Sequence, residues 1–163
     1  FLNNLKVGDE IPARIMENPN FHLPKTPENV VMIANGTGIA PFLGMIQENI
    51  LRKTISLFAG FRHDNDWVNS YRIFAENQIN QGQLEHFDFA FSREENKQYV
   101  MDLIRKDENY FAELLAKNGT IMICGSLKMQ KDVEIILDEI CQKFLEKPLQ
   151  HFIKNGQILS DCY

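Results

Sequence analysis

Four side chains close together in the sequence could hold a phosphate group by charge and by hydrogen bonding. They are Ser92, Arg93, Lys97 and Tyr99. Arginine binds a phosphate monoester through two parallel hydrogen bonds, lysine adds positive charge, and hydroxyl groups supply short hydrogen bonds. Residues 94–96 are Glu, Glu and Asn, so a solvated charged loop is the alternative interpretation of this segment.

A second candidate anion site is the turn formed by Gly36, Thr37 and Gly38, which follows the apolar residues 30–34. Glycines let a ligand approach the backbone closely, and Pro41 favours the first turn of a helix. Free N–H groups and the positive end of a helix dipole attract a phosphate or a diphosphate. An ordinary strand-to-helix turn is the alternative.

The elements around these candidates alternate between strand and helix. Hydrophobic patterning predicts strands at 30–34, 54–60, 84–91, 120–124 and 157–162. It predicts helices at 41–50, 66–80 and 129–145, one broken or two short helices at 101–117, and a short helix at 148–156. This alternation predicts a three-layer α/β fold, with a parallel sheet of about five strands and helices on both faces.

Several polar or reactive residues follow the predicted strands, at the sheet edge where parallel sheets bind ligands. Arg62 follows the second strand, Ser92 follows the third, and the run Cys124, Gly125, Ser126 ends the fourth. Arg62 could equally be a surface arginine in a polar loop. A lone cysteine at the end of a buried strand is commonly a small core residue.

Composition excludes several classes of function. The chain has 163 residues, 44% of them hydrophobic, which favours a single domain with a buried core. A net charge of -5 argues against a nucleic-acid or anionic-membrane surface. Three widely spaced cysteines predict neither a disulfide framework nor a zinc site and favour a reducing cytosol. The four histidines show no metal-ligand spacing, so no metal site is expected.

Residues 33–42, Ile-Ala-Asn-Gly-Thr-Gly-Ile-Ala-Pro-Phe, resemble the loop that opens the NADP-binding module of the ferredoxin-NADP reductase superfamily. The nearest likeness is to the diflavin branch, which includes sulfite reductase flavoproteins, microsomal cytochrome reductases and nitric-oxide synthase reductase regions. The resemblance continues through residues 91–94, 124–126 and 161–163. It implies a Rossmann-like NADP-binding domain.

The resemblance assigns cofactor-binding roles along the chain. It implies that Ser92, Arg93, Lys97 and Tyr99 bind the 2'-phosphate of NADPH, whereas an NAD site more often presents an acid to the ribose. The diphosphate would contact Arg62 and the glycine turn of Gly36, Thr37 and Gly38. The nicotinamide and adenosine ends would be bordered by Gly125, Ser126, Lys128, Met129 and Asp132. Ser126 stands where relatives often carry an acid, and Met101 where they often carry glutamine.

Three further residues take catalytic roles by the same resemblance. Cys124 would pack beside the nicotinamide ring and ease hydride transfer without acting as a nucleophile. Asp161 would join it, and the ring of Tyr163 would stack on the flavin where nicotinamide must enter. A polar and an aromatic residue at a terminus are otherwise typical of frayed surface.

The expected domain organisation is a remnant of a flavin-binding barrel with its connector at 1–28, and the NADP-binding domain at 29–163. The barrel tail would comprise Leu2, Leu5, Gly8, Asp9, Phe21, Leu23 and Pro24, with a strand at 11–16. An unrelated N-terminal arm is the alternative. Because the first residue is Phe1, we interpret the chain as a fragment.

The function implied is an NADPH-binding module that passes hydride to FAD held mainly by a preceding domain, with electrons leaving to FMN, haem or another acceptor. The isolated fragment should bind NADP and catalyse little. We expect a cytoplasmic location, with the parent either free or membrane-anchored, and no membrane or nucleic-acid contact by the fragment. The alternatives are a non-redox nucleotide-binding regulatory domain and a phosphate-binding α/β module whose ligand is not a dinucleotide.

Overall fold

A computed structural model describes residues 4–12, 18–26 and 28–163. Its centre is a five-stranded sheet with the order β3-β2-β1-β4-β5, and every neighbouring pair is parallel. The strands are β1 (Asn29–Asn35), β2 (Thr54–Phe61), β3 (His86–Phe91), β4 (Thr120–Gly125) and β5 (Ile158–Cys162). The helices are α1 (Ala40–Gln47), α2 (Asp66–Asn80), α3 (Val100–Lys106), α4 (Glu108–Ala116), α5 (Leu127–Leu145) and α6 (Leu149–Lys154). This confirms the predicted three-layer α/β class.

The central strand explains why helices cover both faces of the sheet. Residues 30–34 of β1 are all fully buried, at 1% exposure or less. Because successive side chains on a strand point to opposite faces, Val31 and Ile33 enter one core with apolar residues of α3 to α6. Val30, Met32 and Ala34 enter the other core with residues of α1 and α2. An apolar run without alternation is therefore a strand buried on both faces.

Two elements are shortened at one end relative to the prediction, each by hydrogen bonding of a residue in the adjoining turn. The helix predicted at 41–50 ends at Gln47, because the chain turns to bury Asn49, whose Nδ2 donates to the carbonyls of Lys53 and Gln83 at 2.8 and 2.9 Å. The strand predicted from residue 84 begins at His86, because Leu84 N donates to the carbonyl of Gln78 at the end of α2.

Other boundaries agree closely with the patterning. The helix at 66–80 has its predicted bounds, and Asn65 caps it by accepting from Val68 N at 3.1 Å. Residues 101–117 form two helices that are divided at Asp107. The helix predicted at 129–145 starts two residues earlier, at Leu127, because Ser126 caps it.

The connector before β1 lies against the sheet domain. Phe21 is 5% exposed and its ring centroid lies 5.8 Å from that of Phe42 on α1. Lys53 Nζ donates to the carbonyl of Lys25 at 2.9 Å. The strand predicted at 11–16 lies mostly outside the described residues, and Ile11 is exposed and not in a strand.

Candidate functional site

A groove of about 1000 Å³ runs along the carboxyl edge of the sheet. It is lined by residues that follow β1, β2, β3 and β4 and by the last residue of the chain. The predicted site residues among them are Gly36, Thr37, Arg62, Ser92, Tyr99, Gly125, Ser126, Lys128, Met129, Asp132 and Tyr163. Sheet order therefore gathers segments that are far apart in the sequence into one site.

The glycine turn at one end of the groove is a 3-10 turn, Gly36–Ile39, that leads directly into α1. Gly36 has a φ of +54°, a left-handed conformation that glycine adopts without strain. A Cβ on Gly38 would lie 2.3 Å from the carbonyl oxygen of Cys124 and 2.8 Å from Gly125 Cα. The turn thus packs backbone to backbone against the end of β4, and no side chain fits between them.

The loop after β3 continues to pair with the end of β2. Ser92 N donates to the carbonyl of Phe61, and Arg93 N donates to that of Arg62, each at 2.9 Å. Ser92 lines the groove, whereas Arg93 is an exposed residue beside it. The backbone pairing places both predicted arginines next to one another at the same edge.

The acidic residue that follows Arg93 is bonded to the loop between β2 and α2. Glu94 Oε1 lies 3.2 Å from His63 Nδ1 and accepts from Asp64 N at 3.0 Å. The Glu94 carboxylate is therefore bonded to the β2–α2 loop, and Arg93 and Lys97 remain exposed. Lys97 Nζ lies 5.2 Å from the ring centroid of Tyr99, within cation–π range.

Tyr99 is held by the helix that follows it. Its N–H donates to Asp102 Oδ2 at 2.7 Å, while its side chain stays 43% exposed at the groove. Gln98 and Met101 line the groove beside it. Met101 is the position at which the resemblance led us to expect glutamine, and Gln98 brings a side-chain amide to the same wall.

Cys124 and Asp161 lie next to each other in register on β4 and β5, and neither lines the groove. Cys124 is 3% exposed. Burial, with smaller contributions from Asp161 and Cys162, raises the pKa of the Cys124 thiol to about 11. The thiol is therefore protonated at neutral pH, where it cannot act as a thiolate nucleophile.

Tyr163 connects the end of β4 with the glycine turn. Its N–H donates to the carbonyl of Gly125 at 3.0 Å, and its own carbonyl accepts from Leu127 N at 3.3 Å. Its hydroxyl lies 2.9 Å from Thr37 Oγ1, and its side chain is 71% exposed. The phenol thus occupies part of the groove next to the predicted diphosphate turn.

Sequence reasoning missed several groove residues, among them Asn35 and Trp67. Asn35 precedes the glycine turn, and its amide contacts Ser126 across the groove wall, with Ser126 N donating to Oδ1 at 2.9 Å. Trp67, the single tryptophan of the chain, is 75% exposed on the first turn of α2 and lines the groove. An asparagine at a strand end and an exposed tryptophan after a polar loop were the available signals.

Among the residues that the structure describes, no group of three or more His, Cys, Asp or Glu side chains could hold a metal ion. Within the same part of the chain, no helix combines the length and the apolar character needed to cross a bilayer.

Comparison with known proteins matches the part of the chain that contains most of the groove residues. Residues 32–134 match the family model of the oxidoreductase NAD-binding domain. The chain is 35% identical over 144 residues to the sulfite reductase [NADPH] flavoprotein alpha-component of Bacillus subtilis, covering 85% of this chain and 24% of that protein.

Two other relatives have a similar percentage of sequence identity to this chain. Nitric oxide synthase of Anopheles stephensi is 36% identical over 153 residues, covering 86% of this chain and 12% of that protein. The bifunctional cytochrome P450/NADPH–P450 reductase of Bacillus cereus is 39% identical over 139 residues, covering 78% of this chain and 12% of that protein. The chain thus spans a quarter or less of the length of these relatives. With the matched model extending over most of the sheet and its groove, the chain belongs to the oxidoreductase NAD-binding domain family.

Proposed function

We propose that the groove binds NADP(H), and that the chain is the NADP-binding module of a flavoprotein reductase of the diflavin branch. The observation that carries this proposal is that two candidate anion-binding segments lie at one edge of the sheet and both contribute residues to the groove. The glycine turn after β1 and the cationic loop after β3 lie on the same sheet edge, separated by the end of β2. A dinucleotide with an additional phosphate on its ribose has anionic groups at two such separated places.

The glycine turn fits a diphosphate. Gly38 and Gly125 have no space for a Cβ, and Gly36 adopts a left-handed φ, so the backbone itself forms this wall. In our proposal the backbone N–H groups of the turn and the Thr37 hydroxyl donate to the diphosphate, and Arg62 adds positive charge from the end of β2. The groove volume of about 1000 Å³ is at the upper end of the range for small-ligand sites.

The loop after β3 sets the preference for NADP over NAD. Ser92, Arg93, Lys97 and Tyr99 would surround the 2'-phosphate, with Arg93 and Lys97 supplying charge and the hydroxyls supplying hydrogen bonds. Glu94 is bonded to the β2–α2 loop, so it does not serve as the acid that a ribose diol would need. In this proposal, discrimination between NADP and NAD depends on the positive charge of the 92–99 loop.

The end of the groove at β4, on the opposite side of β1 and β2 from the 92–99 loop, would receive the nicotinamide ring of the cofactor. This ring supplies the hydride when the cofactor is bound. Gly125, Ser126, Met129 and Asp132 would border it. The protonated thiol of Cys124 precedes Gly125 on β4 and is paired in register with Asp161, and the two residues would shape this end by packing and by charge. The phenol of Tyr163 would stand where the ring enters and would have to move away from Thr37.

The remaining parts of the proposal concern the parent protein. We place the NADP-binding domain at residues 29–163 and treat 1–28 as the end of a preceding FAD-binding barrel with its connector. FAD would be held mainly there, and electrons would pass to FMN, haem or another acceptor. The length of the relatives supports additional domains. A cytoplasmic location fits the three cysteines, which are all free thiols.

The test of this proposal is calorimetric binding of NADP, NAD, 2',5'-ADP and AMP to the chain. We expect the two ligands with a 2'-phosphate to bind at least about tenfold more tightly, roughly 1.4 kcal/mol. Trp67 lines the groove and is the single tryptophan, so its fluorescence provides a second measure of binding. Arg93→Ala should remove most of the difference between NADP and NAD.

The matched control is Arg105→Ala, which removes an exposed arginine that pairs with Glu139 on α5 and does not line the groove. It should leave both affinities unchanged. Equal affinities for NADP and NAD in the wild type would contradict the proposal. In the full-length protein, failure of NADPH to reduce the flavin would instead favour a non-redox nucleotide-binding domain.

A further inference from the structure

Asn35 lies at the end of β1, and its amide is bonded to the loop that follows β4. Ser126 N donates to Asn35 Oδ1 at 2.9 Å, and Asn35 Nδ2 donates to Ser126 Oγ at 3.1 Å. Because a backbone N–H can only donate, the amide atom that faces it must be the oxygen. The orientation of the Asn35 amide is therefore determined, and Nδ2 necessarily acts as the donor to the serine hydroxyl.

The Ser126 hydroxyl accepts a second hydrogen bond from the helix that it caps. Met129 N donates to Ser126 Oγ at 3.3 Å. A serine hydroxyl has two acceptor lone pairs and one donor hydrogen. With both lone pairs occupied, the hydroxyl hydrogen is left to donate elsewhere, and Ser126 lines the groove. The two incoming donors therefore make this hydroxyl a donor toward the groove.

We propose that Asn35 is a positioning residue for the dinucleotide, since it orients the Ser126 hydroxyl to donate its hydrogen to an acceptor oxygen of the bound cofactor. This inference rests on the proposed function and deepens it. An ionised carboxylate in place of the serine would have no hydrogen to donate. The Asn35–Ser126 pair thus places a neutral donor at the groove wall.

The backbone at Gly125 packs closely against the Asn35 side chain of this pair. Gly125 has a φ of +143°, and a Cβ there would lie 2.1 Å from Asn35 Oδ1. The amide therefore occupies space that any larger residue at 125 would need. Because Asn35 directly precedes the glycine turn, the same side chain connects the turn after β1 to the N-terminus of α5.

Asn35→Asp is the decisive substitution because it has nearly the same shape. An aspartate oxygen would accept from Ser126 N and also from the Ser126 hydroxyl, which would consume the hydrogen and add negative charge beside an anion site. We expect NADP affinity to fall by at least about tenfold, while the melting temperature stays near that of the wild type.

Ser126→Ala removes the hydroxyl and should weaken NADP by about three- to tenfold, the value of one hydrogen bond. Ser126→Thr restores the hydroxyl and should recover most of that loss. Ser70→Ala on α2, whose hydroxyl donates to the Asp66 carbonyl on an exposed helix face, is the matched control and should change nothing.

The experiment compares the affinities of NADP and 2'-AMP by calorimetry in each variant. 2'-AMP carries only the adenosine 2'-phosphate end of the cofactor, so its binding should stay unchanged while that of NADP falls. An unchanged NADP affinity in Asn35→Asp and Ser126→Ala overturns the inference and leaves the proposed function intact. Equal loss for both ligands with a lower melting temperature shows a structural role and also overturns it. If the wild type binds neither ligand, the proposed function fails and this inference fails with it.

Discussion

Replacing Gly38 with alanine tests the contact on which the candidate site is built. The added Cβ would lie 2.3 Å from the carbonyl oxygen and 2.6 Å from the carbonyl carbon of Cys124. Ordinary contacts begin at 3.4 Å, so the turn would have to move from the end of β4 by about 1 Å. The atoms in the way belong to the backbone of a buried strand, which cannot rotate aside as a side chain can.

The expected cost follows from this geometry. Overpacking against well-packed neighbours costs about 1–3 kcal/mol, and replacement of a glycine stabilises by about 0.4–1 kcal/mol through the unfolded chain. We therefore expect Gly38→Ala to lose about 1–2 kcal/mol in the free energy of unfolding, measured by urea denaturation. Gly44→Ala is the matched control, because Gly44 lies within α1 and, apart from the adjacent backbone of its own helix, no atom lies within 4 Å of its Cβ position. It should gain about 0.5–1 kcal/mol.

Binding provides the second readout for Gly38→Ala. The turn contacts the diphosphate in the proposed function, and this group is common to both coenzymes. NADP and NAD should therefore weaken alike, by about tenfold, which corresponds to one or two backbone hydrogen bonds. Stability equal to that of Gly44→Ala would refute the packing argument. Loss of NADP binding alone would show that the turn contacts the 2'-phosphate instead.

Three further predictions concern other residues. Between pH 9 and 11, the free energy of unfolding should fall less steeply in Cys124→Ala than in the wild type, by up to about 1.4 kcal/mol per pH unit. The folded thiol, with a pKa of about 11, keeps the proton that an unfolded thiol with the ordinary value of 9.0 loses, so the wild type is destabilised as the pH rises through this window. Tyr163→Phe should bind NADP about twofold more tightly by calorimetry, because the ligand no longer has to break the hydrogen bond to Thr37. Asn49→Ala should lose about 3 kcal/mol in urea denaturation, because its fully buried amide makes three hydrogen bonds to main-chain atoms.

Each of these predictions has an outcome that contradicts it. Parallel pH profiles for Cys124→Ala and the wild type would mean that the thiol titrates normally. Weaker NADP binding by Tyr163→Phe would mean that the phenol hydroxyl contacts the ligand. Asn155→Ala, on an exposed side chain near His151, is the control for Asn49 and should change stability by less than about 0.5 kcal/mol. A similar small effect at Asn49 would refute its structural role.

The local sequence determined the order and nature of the elements. A run of apolar residues at 30–34 without alternation predicts a strand buried on both faces, and that is the environment of β1. Helical periodicity predicts α2 at 66–80, its observed bounds, and in the structure the adjacent Asn65 caps it, so this helix depends on residues only a few positions apart. The glycine turn was predictable for the same reason.

Where local signals compete with distant partners, only the tertiary structure decided the outcome. The periodicity of α1 continues toward residue 50, yet the helix ends at Gln47 because the Asn49 amide bonds to the Gln83 carbonyl, 34 residues away in the sequence. The free energy of that buried hydrogen bonding exceeds the small helix propensity of a few residues. No pattern within the helix contains this information.

The detail of the candidate site depends on the same kind of distant contact. Asn35 meets Ser126 across 91 residues of sequence, and Thr37 meets Tyr163 across 126. These pairs exist because β1 lies beside β4, and β4 beside β5, although these strands are far apart in the sequence or separated by helices. The residue types predicted which groups could bind phosphate, whereas the strand order decided which of them share a groove.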